Sequence, residues 1–103
     1  MILRGLLTEA GETLAGVSAT TDPSGGTTWD RVGRPFATAS GDGTTAEFRL
    51  DPAVAAAALR TPDTGPSRRG PDWISFRPAG LDDHALDRAE AWFGSAWRRA
   101  EHP

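Results

Sequence analysis

Cysteine is absent from this chain, and so is lysine. Without cysteine there is neither a disulfide framework nor thiolate chemistry, which excludes a cross-linked secreted scaffold. With no lysine, all 11 basic side chains are arginines. Together with abundant alanine, 12 glycines and 8 prolines, this points to the codon bias of a GC-rich, actinobacterial genome. Arginine in place of lysine then says little about sites that need a guanidinium. The 2 histidines, His84 and His102, have no second histidine or cysteine at ligand spacing, so no zinc set is offered. Long apolar runs are missing too. None approaches the roughly 20 residues of a membrane span. The apolar start, Met1 to Leu7, is too short for a signal segment and is interrupted by Glu9 and Glu12. The expected location is the cytoplasm.

Catalytic signatures are equally scarce. No Gly-x-Ser-x-Gly elbow positions a serine nucleophile. Gly25-Gly26 and Gly41-Asp42-Gly43 are too short for a phosphate-binding loop, and neither opens a helix. Asp22, Asp30, Asp42 and Asp51 lack calcium-loop spacing. His84 lies among Asp82, Asp83 and Asp87, where a first helical turn with dipole-complementary acids explains the cluster better than acid–base work. Neither a catalytic residue, nor a metal, nor a cofactor is therefore expected. A net charge of −3 repels phosphate backbones overall, although a local basic patch can override it.

What is present reads as one α+β domain over all 103 residues. Leu3, Leu6, Leu7, Ala10, Leu14 and Val17 form a helical stripe over 2–17, with Gly16 as its stop. Ser18 to Gly26 is a strand edge or loop ending in an Asp22-Pro23-Ser24-Gly25-Gly26 turn. A three-stranded meander follows. Thr27 to Val32 is rich in β-formers, Val32-Gly33-Arg34-Pro35 turns the chain, and Phe36 to Ala39 returns. After Ser40-Gly41-Asp42-Gly43, Ala46, Phe48 and Leu50 alternate with Thr45, Glu47 and Arg49. Asp51-Pro52 starts a short helix, with Asp51 as expected cap and Val54 and Leu59 as expected anchors. The proline- and glycine-rich stretch 61–72 reads as a loop. Trp73 to Arg77 is a fourth strand, Ile74 and Phe76 on one face and Trp73, Ser75 and Arg77 on the other. Leu86, Ala89, Phe93, Ala96, Trp97 and Ala100 mark the last helix, capped by Asp82 or Asp83.

The resulting order is α-β-β-β-α-β-α: a four-stranded, mainly antiparallel sheet with helices on one face. Phe36 or Ala37, Phe48, Leu50, Ile74 and Phe76 are the expected core face. Trp73, Arg77, Glu47 and Arg49 are the expected outer face. Exposed tryptophan beside arginine is enriched at binding surfaces. Arg68 and Arg69, in the loop before the fourth strand, join Trp73 and Arg77 as candidate site residues. Such a patch suits a phosphate, a carboxylate or a single-stranded nucleic acid.

The stretch from Leu14 to Arg99 resembles small actinobacterial proteins of the luciferase-domain family. The matching pieces are Leu14-Ala15-Gly16-Val17, Val32-Gly33-Arg34-Pro35-Phe36-Ala37, Asp42-Gly43, Phe48-Arg49-Leu50-Asp51-Pro52, Asp72-Trp73-Ile74-Ser75-Phe76, Asp87 to Trp92, and Trp97-Arg98. These are turns, caps and core strands, and the resemblance implies a fold without implying light emission. Members of that family often carry histidine after the Phe-Ala of the second strand. Here Phe36-Ala37 is followed by Thr38, which removes a histidine-based role. The element order more remotely resembles the MmcQ/YjbR family, whose members are described as DNA-binding with a double-wing-like fold. The leading expectation is a non-enzymatic binding or protein-interaction module, self-association through the free sheet face included. A nucleic-acid-binding protein and a small-molecule or enzymatic accessory protein of a biosynthetic pathway are the alternatives. A membrane is not an expected partner.

Overall fold

The structure, a computed structural model, describes residues 2–101. His102 lies outside them. Three helices and six strands follow one another as α1 (Ile2–Glu12), β1 (Val17–Thr21), β2 (Thr27–Arg31), β3 (Arg34–Ala39), β4 (Ala46–Arg49), α2 (Pro52–Ala58), β5 (Thr64–Pro66), β6 (Trp73–Phe76) and α3 (Asp83–Arg99). The strands make one sheet in the order β1-β2-β3-β4-β6-β5, and every pairing is antiparallel. The α+β class and the antiparallel sheet match the sequence reading. The count of four strands and the order α-β-β-β-α-β-α do not.

Both extra strands are edges. β1 lies where a strand edge or loop was read. Its residues after Val17 are exposed, so no apolar alternation marks it. β5 lies inside the stretch read as a loop, and Pro66 ends it at the sheet margin, where a missing N–H costs nothing. Because β6 slots between β4 and β5, the chain passes through α2 to the far edge and then folds back.

α1 stops at Glu12, short of the expected 17. Thr13 and Leu14 close tightened turns onto Ala10 and Gly11, and Gly16 adopts φ +72° to redirect the chain into β1. Asp51 is not a side-chain cap of α2. Its carboxylate lies 3.4 Å from Arg99 Nε instead. The buried anchors of α2 are Ala55 and Ala58; Leu59, expected inside, is 44% exposed. A helix this short presents one small face, which alanine fills against β6. In α3 the cap is Asp82, accepting from the Ala85 amide at 2.8 Å.

The core lies between the sheet and the α1/α3 layer. Ala46, Phe48, Leu50, Ile74 and Phe76 are all buried there, as their alternation predicts. The choice between Phe36 and Ala37 dissolves: both are buried. A bulge causes this, since Trp29 pairs with Ala37 but Asp30 pairs with Pro35, leaving Phe36 as the extra residue. Phe36 and Trp29 both meet the edge of Phe93, at ring-centre distances of 5.1 and 5.5 Å. Trp92 packs on Phe76 at 5.1 Å. Trp97 is only half-buried. Its indole donates to the Ala15 carbonyl, and Arg31 lies 4.0 Å over its ring. No helix is long and apolar enough to cross a membrane among the described residues.

Candidate functional site

The strand period sends Glu47 and Arg49 of β4, and Trp73 and Ser75 of β6, to the face away from the helices, with Arg77 following. Thr38 stands opposite Glu47 on the neighbouring strand. Among the described residues no helix covers this face. Instead, residues 67–72 fold back across it. The Ser67 and Trp73 amides both close onto the segment itself, and Gly70 takes φ +156°.

Glu47 is the hub of the face. Thr38 Oγ1 donates to it at 3.0 Å and Arg69 Nε at 2.8 Å, while Ser67 Oγ makes a short hydrogen bond to its other oxygen. Burial by itself pushes this carboxyl up. The hydrogen bonds from Ser67, Arg69 and Thr38 and the Arg69 charge outweigh it and hold Glu47 below its ordinary value. Arg69 also reaches over Trp73, 5.6 Å from the ring centre. Farther along, Asp72 accepts from Arg49 Nε and from Arg99, each at 2.9 Å. The Arg49 hydrogen bond, against slight desolvation and with both guanidinium charges, lowers its carboxyl too. One link thus ties the outer face to α3.

Around this hub lies an open groove of about 600 Å³, lined by Glu47, Pro66, Ser67, Arg68, Arg69, Ser75 and Arg77. A smaller depression of about 280 Å³ continues from Glu47 and Arg69 over Thr28 and Thr38 toward the turns at Ser24 and Gly41. In the turn that follows Gly41, Asp42 accepts from Ser40 Oγ and from the amide and hydroxyl of Thr44. Those donors, helped by the Arg77 charge, draw its carboxyl down to about 2.

Of the sequence candidates, Arg68, Arg69 and Arg77 line one groove, and Trp73 stands behind it as the surface that Arg69 covers. Trp73 is half-buried and is neither free nor core. Arg68 and Arg77 are exposed, whereas Arg69 is engaged by Glu47. Among the described residues Arg68 enters no ion pair. Sequence reasoning placed Glu47 and Ser75 on the outer face but gave neither a role, and it missed Ser67. The available signal was a charged residue mid-strand, flanked by Ala46 and Phe48 at period two. His84 is exposed on the first turn of α3. No group of acids and histidines able to hold a metal occurs among the described residues.

No protein-family model, no curated protein and no solved structure matches this chain.

Proposed function

We propose that the chain is a non-enzymatic binding module that takes an anionic group, a carboxylate or a phosphate, in the outer-face groove. The observation that carries this reading is the pairing of two kinds of arginine in one groove. Arg69 is neutralised and oriented by Glu47, while Arg68 and Arg77 stand exposed beside the Ser75 hydroxyl. With three guanidinium groups to one carboxylate, the groove is cationic on a protein whose net charge is −3. Guanidinium and hydroxyl donors together suit oxyanions. The groove volume falls in the range of about 300–1,000 Å³ usual for small-molecule sites.

Binding is favoured over proton-transfer chemistry because the one carboxylate in the groove is held ionised by three donors. A general base needs a pKa near the working pH and an uncommitted oxygen. Self-association through this face belongs to the same reading, with an acidic segment of a second copy as the anion.

Titration with inorganic phosphate and with succinate at low ionic strength, followed by amide NMR, tests the reading. Shifts should concentrate at Ser67, Arg68, Ser75 and Arg77 and should disappear in Arg68→Ala/Arg77→Ala. No response at millimolar concentrations removes the anion site, and sedimentation as a strict monomer removes the self-association form.

A further inference from the structure

The sheet ends in two unlike edges. β5 is three residues long and carries Pro66, so it offers a short margin with a donor missing. β1, at the opposite margin, is five residues long and holds neither proline nor a charged side chain. Its register with β2 runs unbroken from Val17 to Thr21, without the bulge that would twist an edge away. Nor does α1 roof it. Ala19 pairs with the buried Trp29, and the two side chains share the helix side of the sheet, yet Ala19 is exposed.

The register also fixes which backbone groups of β1 point outward. At one end Val32 donates its amide to the Gly16 carbonyl, and at the other Asp22 donates to Gly26. Opposed residues in an antiparallel pair alternate between bonded and non-bonded. Gly16, Ser18, Thr20 and Asp22 therefore bond toward β2, and Val17, Ala19 and Thr21 turn their N–H and C=O groups away from it. No turn, loop or side-chain hydrogen bond takes up these groups among the described residues.

We infer that β1 is a self-association edge, on which a second copy of this chain lays its own β1 antiparallel about a two-fold axis through Ala19. Val17 then pairs with Thr21 of the second copy, Ala19 with Ala19 and Thr21 with Val17, so every outward N–H and C=O finds a partner. Moving the axis off Ala19 leaves some of them unpaired. Ser18 falls opposite Thr20, a favourable hydroxyl pair. Asp22 falls opposite Gly16 and meets no like charge. This symmetry of an uncharged strand about a small central residue selects a second copy as the occupant. The contact is isologous and closes at two copies, and Pro66 blunts the other edge against a filament. It lies across the sheet from the groove at Arg68 and Arg77 and does not depend on it. A depression of about 120 Å³ over Val17 and Ala19 is bordered by Glu12, its one charged side chain. Glu12 and the net charge of −3 on each copy oppose approach, so the dimer should strengthen as salt screens them. An arginine–anion contact would weaken instead.

Sedimentation equilibrium of the full chain from micromolar to millimolar concentration, joined to amide exchange by NMR, tests the pairing. The wild type should pass from monomer to dimer. Ala19→Arg sets two guanidinium groups together at the axis, and Ala19→Pro removes an outward N–H without touching the bonds to β2; both should remain monomeric. At free protein about nine times Kd, the Val17 and Thr21 amides should exchange about tenfold more slowly in the wild type than in Ala19→Arg, by mass action. Ser18 and Thr20 should differ little. Arg68→Ala/Arg77→Ala should dimerise as the wild type does. The proposal is overturned if the wild type is monomeric at millimolar concentration, or if Ala19→Arg still dimerises. It is equally overturned if salt or Arg68→Ala/Arg77→Ala dissolves the dimer, which would move the contact to the outer face. A monomeric chain whose Val17 and Thr21 amides are slowed only by an added peptide of alternating threonine and valine would make the edge a foreign-strand site and also overturn it. Because Ala19 is exposed, Ala19→Arg reads out even if Ala19→Pro fails to fold.

Discussion

Arg69 and Glu47, 22 residues apart, meet at 2.8 Å on the uncovered face of the sheet. The contact pins residues 67–72 to β4 and fixes how Arg68 is presented. Half of the Arg69 side chain is solvated, so the ion pair itself contributes little, about 0–1 kcal/mol. The hydroxyl donors matter more: Thr38 and Ser67 give to different oxygens of Glu47, and glutamine keeps only one of those acceptors.

Glu47→Gln should therefore cost about 1.5–3 kcal/mol, the range for hydrogen bonds to a charged group. It should also raise amide exchange from Ser67 to Arg69. Urea unfolding and hydrogen exchange check both parts. An unchanged exchange pattern would mean that the segment holds its place through its contacts with Trp73 and Gly70 alone.

Acid should weaken the fold in a defined window. Glu47, Asp72, Asp22 and Asp42 all titrate below their ordinary values in the folded protein. A lowered carboxyl stabilises the folded state above the unfolded value, and that contribution is lost as pH falls through the folded one. Tm should thus hold steady above 4.5, the ordinary glutamate value, and decline below it. The decline should continue to about 2, where Asp42 titrates. Asp42→Asn should flatten the lower part of that slope in a pH series of thermal melts.

Gly41 should tolerate no side chain. A Cβ there would sit far inside contact distance of the Ser24 carbonyl oxygen, which is backbone and cannot step aside. The turn at Ser24 is itself held by three hydrogen bonds to one Asp22 oxygen and by Arg4 on the Gly25 carbonyl. Gly41→Ala should cost about 1–3 kcal/mol, as overpacking does. Thermal unfolding measures it, with Gly33→Ala as the contrast: nothing lies near a Cβ at Gly33, and only its φ of +82° resists.

Val32 should be improvable. It holds φ +52° in the β2–β3 turn while 82% exposed, so a β-branched residue carries backbone strain without burying its side chain. Asparagine before Gly33 is the preferred pair for a turn with positive φ at both positions. Val32→Asn should raise stability by about 1 kcal/mol, the scale of a relieved positive-φ residue, seen as a higher Tm. A fall in Tm would show that the Val32 side chain makes a packing contribution after all, its Cγ2 lying 3.5 Å from where a Cβ at Gly16 would stand.

Much of the architecture is legible in residues that carry their own periodicity. Ala46-Phe48-Leu50 and Ile74-Phe76 announce which face is buried, because a half-buried strand must alternate. α3 announces itself through Ala89, Phe93 and Ala96, which recur every three or four residues and are all buried. Gly33 marks its turn because few other residues accept that backbone. The arginines of the outer face are visible as candidates for the same reason: strand parity sends Arg77 away from Ile74 and Phe76.

β1 and β5 are not legible, because an edge strand is held by backbone hydrogen bonds to one neighbour and needs no apolar pattern of its own. Val17 to Thr21 and Thr64 to Pro66 become strands only when Arg31 to Thr27 and Phe76 to Ile74 are alongside. The Phe36 bulge, the insertion of β6 between β4 and β5, and the Arg99–Asp72–Arg49 link are likewise decided by pairing over long separations. So is the outer-face groove. The chain by itself specifies which residues turn inward or outward, since that depends on local period. Which outward residues become neighbours depends on the order in which strands and helices lie side by side, and only the tertiary fold decides that.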